Sequence, residues 1–88
     1  DLHIDELLDT TAGMSSADML EYQLKVFNDT IKEYRGQKGQ KIVFIHGKGD
    51  GVLKNAILKE LKNKHKGMYY QDASFREYGF GATQVTIH

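Results

Sequence analysis

The chain has 88 residues, no cysteine and equal numbers of basic and acidic side chains, so its formal net charge is zero. This length suits one small domain over residues 1–88, and the missing cysteines exclude a disulfide framework or a thiolate metal site. No apolar run approaches the roughly 20 residues of a membrane span, so we expect no membrane partner. The lack of cysteine is compatible with a reducing compartment, so a cytoplasmic location is the default, and a monomer is favoured for the isolated domain. The chain starts at Asp1 and stops at His88 in a predicted strand, which indicates a piece of a longer protein.

Charge is distributed unevenly along this neutral sequence. Between His46 and Gly67 six lysines stand against one aspartate and one glutamate, whereas the rest of the chain has six basic and ten acidic residues. A local excess of positive charge favours an anionic partner. The alternative is that these lysines only keep the outer face of a helix in solvent.

The first half of the chain predicts a strand and a helix. Asp1–Ile4 alternates polar and apolar residues, as a short strand with one buried face does. Ser15 or Ser16 is predicted to cap a helix that ends near Gly36, with Asp18 as the partner in a capping box. Apolar side chains fall on one face of this helix at spacings of three and four residues: Leu20, Leu24, Phe27, Ile31 and Tyr34.

The second half continues the alternation of elements. An apolar strand over 41–45 leads into a glycine-rich turn, and a second helix follows, with Asp50 as its predicted N-cap and an end between His65 and Gly67. The segments 68–75 and 82–87 predict two further strands. The order β-α-β-α-β-β predicts an α/β fold, a two-layer sandwich with a mixed sheet and helices mainly on one face.

The turn after the strand 41–45 is the strongest candidate for ligand binding. Glycines at the start of a helix expose backbone N–H groups at the positive end of the helix dipole, where a phosphate binds well. The alternative is that they serve only the backbone geometry of the turn. Lys48 precedes Gly49 and no Ser or Thr follows, so the pattern differs from a mononucleotide-binding loop. The candidate nucleic-acid-binding residues are Gly47, Lys48, Gly49, Gly51, Lys54 and Arg76.

Three residues are candidates for catalysis. If the predicted strands 1–4 and 41–45 lie parallel, their C-terminal ends share one edge of the sheet, and His3 and His46 face one phosphate there. Two imidazoles supply the proton acceptor and donor that phosphodiester cleavage needs. Asp1 is predicted to orient a histidine or to hold a divalent ion, with magnesium as the candidate cofactor. The alternative is that both histidines are structural.

Three stretches of the sequence resemble the signature stretches of the Smr (small MutS-related) domain. They are Asp1-Leu2-His3, the block from His46 to Leu53, and the block from Gly79 to Val85. The resemblance implies a two-layer α/β fold similar to the C-terminal domain of a bacterial translation initiation factor. It also implies nucleic-acid binding, with nicking or endonuclease activity in several members.

The sequence departs from that family beside the predicted catalytic strand. Ile4 stands where members usually have glycine, the loop from Asp5 to Met14 is longer than in other members, and Met19-Leu20 replaces a common Glu-Ala pair. We therefore consider three hypotheses, of which the third is a pocket for a small anion or a nucleotide at Gly47–Gly51. The first is a nucleic-acid-binding domain with endonuclease activity on RNA or structured DNA. The second is a non-catalytic module that binds nucleic acid or a protein partner on behalf of a larger chain.

Overall fold

The computed structural model of the protein describes residues 1–47, 51–79 and 81–88. The helices are α1 (Ile4–Leu7), α2 (Ser16–Tyr34), α3 (Val52–Lys64) and α4 (Phe75–Tyr78). The strands are β1 (Lys41–Ile45), β2 (Tyr69–Asp72) and β3 (Ala82–Thr86). These elements give a small α/β fold. No helix in the described ranges has the length and apolar character needed to cross a membrane.

The three strands form one sheet in the order β1-β3-β2, and both neighbouring pairs are antiparallel. In the register, Phe44 lies opposite Thr83, and Ile42 lies opposite Val85. The predicted mixed sheet is therefore wrong for the described residues. A parallel pair would have required the first segment of the chain as a strand, whereas β2 and β3 are close in sequence and pair antiparallel across a short connection.

The first segment of the chain is not a strand, which corrects the prediction for Asp1–Ile4. Only Leu2 makes a backbone hydrogen bond toward β1, donating its N–H to the Ile45 carbonyl at 2.8 Å. The Gln23 side chain of α2 donates to the Leu2 carbonyl at 2.9 Å, and α1 begins at Ile4. Burial of a single leucine accounts for the polar-apolar alternation, which a strand of four residues would also produce.

The helix α2 confirms the prediction from apolar spacing. Ser15 is its N-cap and forms a capping box, in which Ser15 Oγ accepts from the Asp18 N–H and Asp18 Oδ2 accepts from the Ser15 N–H, each at 3.1 Å. This exchange satisfies two donors at the helix start. Phe27 and Ile31 are fully buried on the predicted face.

The second long helix and the strand before it are also confirmed. β1 covers the predicted strand 41–45, and α3 runs from Val52 to Lys64 with His65 as its C-cap. Gly51 is the N-cap of α3, whereas the predicted N-cap, Asp50, lies outside the described residues.

The C-terminal strands are shorter than predicted. β2 ends at Asp72, and residues 75–78 of the described chain form α4 instead of continuing the strand. All four residues of β2 are exposed, and β2 is an edge strand of the sheet with one neighbour. β3 ends at Thr86, one residue before the predicted end.

One hydrophobic cluster joins the long helices to the sheet. The rings of Phe27 and Phe44 meet edge to face with their centroids 4.6 Å apart. Phe44 and Val85 lie on the same sheet face, which follows from the register. The cluster consists of Leu2, Phe27, Ile31, Phe44, Ile57, Leu61, Val85 and Ile87.

Burial of Leu2 in this cluster makes the first residues part of the folded domain. Leu2 is 2% exposed, so Leu2→Ala should lower the free energy of unfolding by about 2 to 4 kcal/mol, the cost of an unfilled core position. Urea titration followed by circular dichroism measures the change. The control is Val52→Ala at a position that is 54% exposed, where a change within about 0.5 kcal/mol is expected. Equal stability of Leu2→Ala and the wild type would contradict the placement of Leu2.

Candidate functional site

Several predicted site residues lie at one edge of the sheet, where β1 and β2 end and β3 begins. β1 ends there at Ile45 opposite Ala82, the first residue of β3, and β2 ends there with Asp72 opposite Thr83. The hydrogen bond from Leu2 to Ile45 brings the start of the chain to the same edge. Residues from four separate parts of the sequence therefore meet at this edge.

The carbonyl of Gly81 fixes the turn that follows β1. It accepts hydrogen bonds from the backbone N–H groups of His46 and Gly47, each at 2.9 Å. The turn is thereby held against the start of β3. The Gly47 N–H, which the sequence predicted as a phosphate donor, is engaged within the protein.

The side chain of His46 is buried at this junction, with 7% of the residue exposed. Its Nδ1 lies 3.0 Å from the Gly47 carbonyl oxygen, and its Nε2 lies 3.0 Å from Thr83 Oγ1. A carbonyl only accepts, so Nδ1 carries the proton and donates to it. Nε2 then accepts from the Thr83 hydroxyl, and both ring nitrogens are satisfied by the protein.

The surroundings of His46 favour its neutral form. Burial is the largest cause that lowers the pKa of His46, and the positive charge of Lys54 lowers it further. The Gly47 carbonyl and the carboxylate of Asp72 act in the opposite direction, but the pKa remains below its ordinary value. His46 is thus a neutral hydrogen-bonded side chain at neutral pH.

Asp1 and His3 form a pair on the open side of the edge. Asp1 Oδ1 accepts from the His3 backbone N–H at 2.8 Å and lies 2.8 Å from His3 Nδ1. Their side chains are 38% and 46% exposed, respectively. A carboxylate on Nδ1 fixes the orientation of the ring and leaves Nε2 as the nitrogen available to a ligand.

Gly47 makes room for the His3 ring. Its φ is +85°, in the left-handed region that favours glycine, and a Cβ added to it would lie 2.8 Å from His3 Nε2. His3 therefore packs against the backbone of Gly47, directly beside His46. The structure brings the three predicted catalytic residues, Asp1, His3 and His46, to one place.

The predicted phosphate-binding residues are placed less uniformly. Lys54 Nζ lies 3.2 Å from Asp72 Oδ1, so part of its charge is compensated within the protein. Gly51 starts α3 at φ +85° and contributes no side-chain cap to it. Arg76 is exposed on α4, in the connection from β2 to β3 that passes the same edge. Lys48 and Gly49 lie outside the described residues.

Magnesium has no preformed ligand set in the described part of the chain. No group of three or more His, Asp or Glu side chains is placed to hold a metal ion among those residues. The two carboxylates that the structure describes at the edge are already paired, Asp1 with His3 and Asp72 with Lys54. These residues do not fit a dedicated magnesium site, which needs free oxygen ligands in octahedral geometry.

Sequence reasoning missed three residues of the site. Thr83 and Gly81 fall within the third stretch that resembles the Smr domain, which was the only signal for them. Asp72 is an ordinary residue within the predicted strand 68–75, and its contact with Lys54 depends on the pairing of β2 with β3.

The His3 ring occupies its position because Gly47 has no side chain. Gly47→Ala should cost about 1–2 kcal/mol of stability from the left-handed backbone, and its Cβ should displace His3. Gly13→Ala is the matched control, because Gly13 has φ +80° with open space around it. Both variants should lose similar stability in urea titrations. Only Gly47→Ala should shift the imidazole resonances of His3, and unchanged resonances would contradict the contact.

Burial of His46 gives a pH dependence of defined sign. Its pKa is below the ordinary 6.5, so the unfolded chain binds a proton at a higher pH than the folded domain does. The free energy of unfolding should therefore fall as the pH decreases below about 6.5, until folded His46 is also protonated.

His65, whose pKa burial also lowers, contributes in the same direction, so the difference between the wild type and His46→Gln isolates His46. Residue-resolved NMR titration of the imidazoles checks the same point. A His46 pKa at or above 6.5 would refute this assignment.

Comparison with known proteins identifies the family of the chain. No curated protein and no solved structure matches the chain. The family model described as Smr domain matches residues 13–88, which include His46, Gly47, Gly81 and Thr83 but not Asp1 and His3. Because the match covers nearly the whole chain, the protein belongs to the Smr domain family.

Proposed function

We propose that this domain binds nucleic acid at the sheet edge where β1 and β2 end and β3 begins, and that it cleaves phosphodiester bonds there with His3 as the catalytic residue. The observation that carries the proposal is the half-exposed Asp1–His3 pair at this edge, with the His3 ring packed against Gly47. Membership of the Smr domain family supports the choice of nucleic acid as the ligand.

His3 is suited to proton transfer. With Nδ1–H donated to the Asp1 carboxylate, Nε2 keeps its lone pair, and the His3 side chain as a whole is about half exposed. In the proposed step, Nε2 takes the proton of an attacking water or ribose hydroxyl. The attacking oxygen forms a bond to phosphorus while the bond to the leaving oxygen breaks. The leaving oxygen then takes a proton from the imidazolium or from solvent.

His46 has a positioning role in this proposal, which replaces the catalytic role predicted from sequence. Its two nitrogens are engaged by Gly47 and Thr83, and its burial keeps it neutral. The side chain therefore holds the Gly47 backbone in the conformation against which His3 packs.

Positive charge for the phosphate comes from three places. The N-terminus of α3 carries the positive end of the helix dipole, Lys54 lies in its first turn, and Arg76 is exposed on α4. Positive groups that the fold already holds in place before the reaction stabilise the transition state more than the ground state. The described residues do not fit magnesium, and the proposed step uses side chains and backbone of the protein.

A second candidate is a module that binds nucleic acid without cleaving it. The observation in its favour is the hydrogen bond from the Gly47 N–H to Gly81, which removes one backbone donor from the transition state. Binding needs only the positive charge at the edge, whereas cleavage also needs the Asp1–His3 pair.

Cleavage assays separate the two candidates. Labelled single-stranded RNA, duplex DNA and branched DNA are incubated with the wild type, with and without Mg²⁺. We expect His3→Ala to lower the cleavage rate by about 10²- to 10⁴-fold, the usual contribution of a general base, with little change in Kd. The control is His88→Ala, which removes an exposed histidine beside Tyr69.

Two outcomes would contradict catalysis by His3. Cleavage by His3→Ala at the wild-type rate would remove His3 from the mechanism. Salt-dependent binding by the wild type with intact substrates would leave the non-catalytic module as the function.

A further inference from the structure

The outer face of α3 carries a row of exposed lysines that the candidate site does not use. Lys59 and Lys62 are one helical turn apart, and Lys66 is exposed in the turn that follows the helix. The other exposed residues of this face are Val52, Asn55 and Asn63. No acidic residue is exposed on this face of α3.

These three lysines differ from the other described lysines between residues 46 and 67. Lys54 is paired with Asp72, and Lys64 is paired with Glu60. Lys59, Lys62 and Lys66 form no ion pair with any described residue. Their charges therefore face solvent without compensation at close range, whereas surface lysines with acidic neighbours are largely neutralised.

The neighbouring helix shows that this pattern is not general on the surface. α2 packs beside α3 in the same core, but its exposed residues include four carboxylates and only two lysines. The acidic residues are Asp18, Glu21, Asp29 and Glu33, and one of its lysines, Lys25, is paired with Asp29 at 2.8 Å. Positive charge is thus concentrated on one of the two long helices.

The helix α3 starts at the candidate site and leads from there to the row of lysines. α3 begins after Gly51, four residues beyond Gly47, and the contact of Lys54 with Asp72 places its first turn at the site edge of the sheet. With a rise of about 1.5 Å per residue, Lys59 lies roughly 12 Å from Gly51 along the helix axis and Lys62 roughly 16 Å. At about 3.4 Å per base step, these distances correspond to three to five nucleotides.

We propose that the outer face of α3 binds the phosphate backbone of the nucleic acid strand whose reacting phosphate lies at the sheet edge. This inference rests on the proposed function and extends it to the length of the substrate. The lysines contact phosphates and present no flat ring for base stacking, so binding along the row is independent of sequence. The domain accordingly prefers strands that extend at least three to five nucleotides to one side of the bound phosphate.

The test compares two double variants of equal charge change. Lys59→Ala/Lys62→Ala removes two lysines of the row. Lys32→Ala/Lys38→Ala removes two exposed lysines elsewhere that form no ion pair with the described residues. Affinity for single-stranded RNA of 3 and of 16 nucleotides is measured over a range of salt concentrations. Urea titration of each variant verifies that it is folded.

The expected result is a loss confined to the long strand. For the 16-nucleotide RNA, the slope of log K against log salt should fall by about 1.4 in Lys59→Ala/Lys62→Ala, because two phosphate contacts are removed. The control variant should keep the wild-type slope, and all proteins should bind the 3-nucleotide RNA alike.

Two different failures are distinguishable. If Lys59→Ala/Lys62→Ala keeps the wild-type slope on the long RNA, the row is not a binding surface, while the proposed function stands. If the wild type binds neither strand, and binds duplex and branched DNA of the same lengths no better, the proposed function itself is wrong.

Discussion

The arrangement of the site depends on one buried imidazole. His46 donates to the Gly47 carbonyl and accepts from the Thr83 hydroxyl, so it joins the turn after β1 to the adjacent strand β3. The Gly81 carbonyl adds two backbone hydrogen bonds across the same junction. Because a buried polar group without a partner is costly, these contacts leave the turn few alternatives. Gly47 is thereby held in the conformation against which the His3 ring packs.

The core and the site are linked through neighbouring residues. Leu2 is buried in the hydrophobic cluster, and His3 follows it at the open edge. On β3, Thr83 contacts His46, while Val85 two residues later lies in the core on the same face. Side chains that stabilise the fold therefore also determine where the functional groups lie. This link explains how His3, His46 and Thr83, which come from distant parts of the sequence, keep a defined geometry in a small domain.

Periodicity in the sequence was sufficient for the elements that bury a continuous face. The stripe on α2 and its Ser15–Asp18 capping box follow from local spacing, and both were predicted. The prediction of a strand at residues 1–4 is wrong because four residues are too few for periodicity to distinguish a strand from an irregular segment that buries one leucine. The sequence placed Asp1, His3 and His46 together, but not the burial of His46, since burial depends on Thr83 and the strand pairing.

In the proposed function, nucleic acid binds where Asp1, His3 and Gly47 meet. NMR titration of the isotope-labelled domain with a non-cleavable oligonucleotide tests it most directly. We predict the largest chemical-shift changes at His3, Gly47 and Gly51, with smaller changes along the outer face of α3. Changes confined to α2, or to the exposed strand β2 around Tyr69, would contradict the account by locating the ligand on another surface.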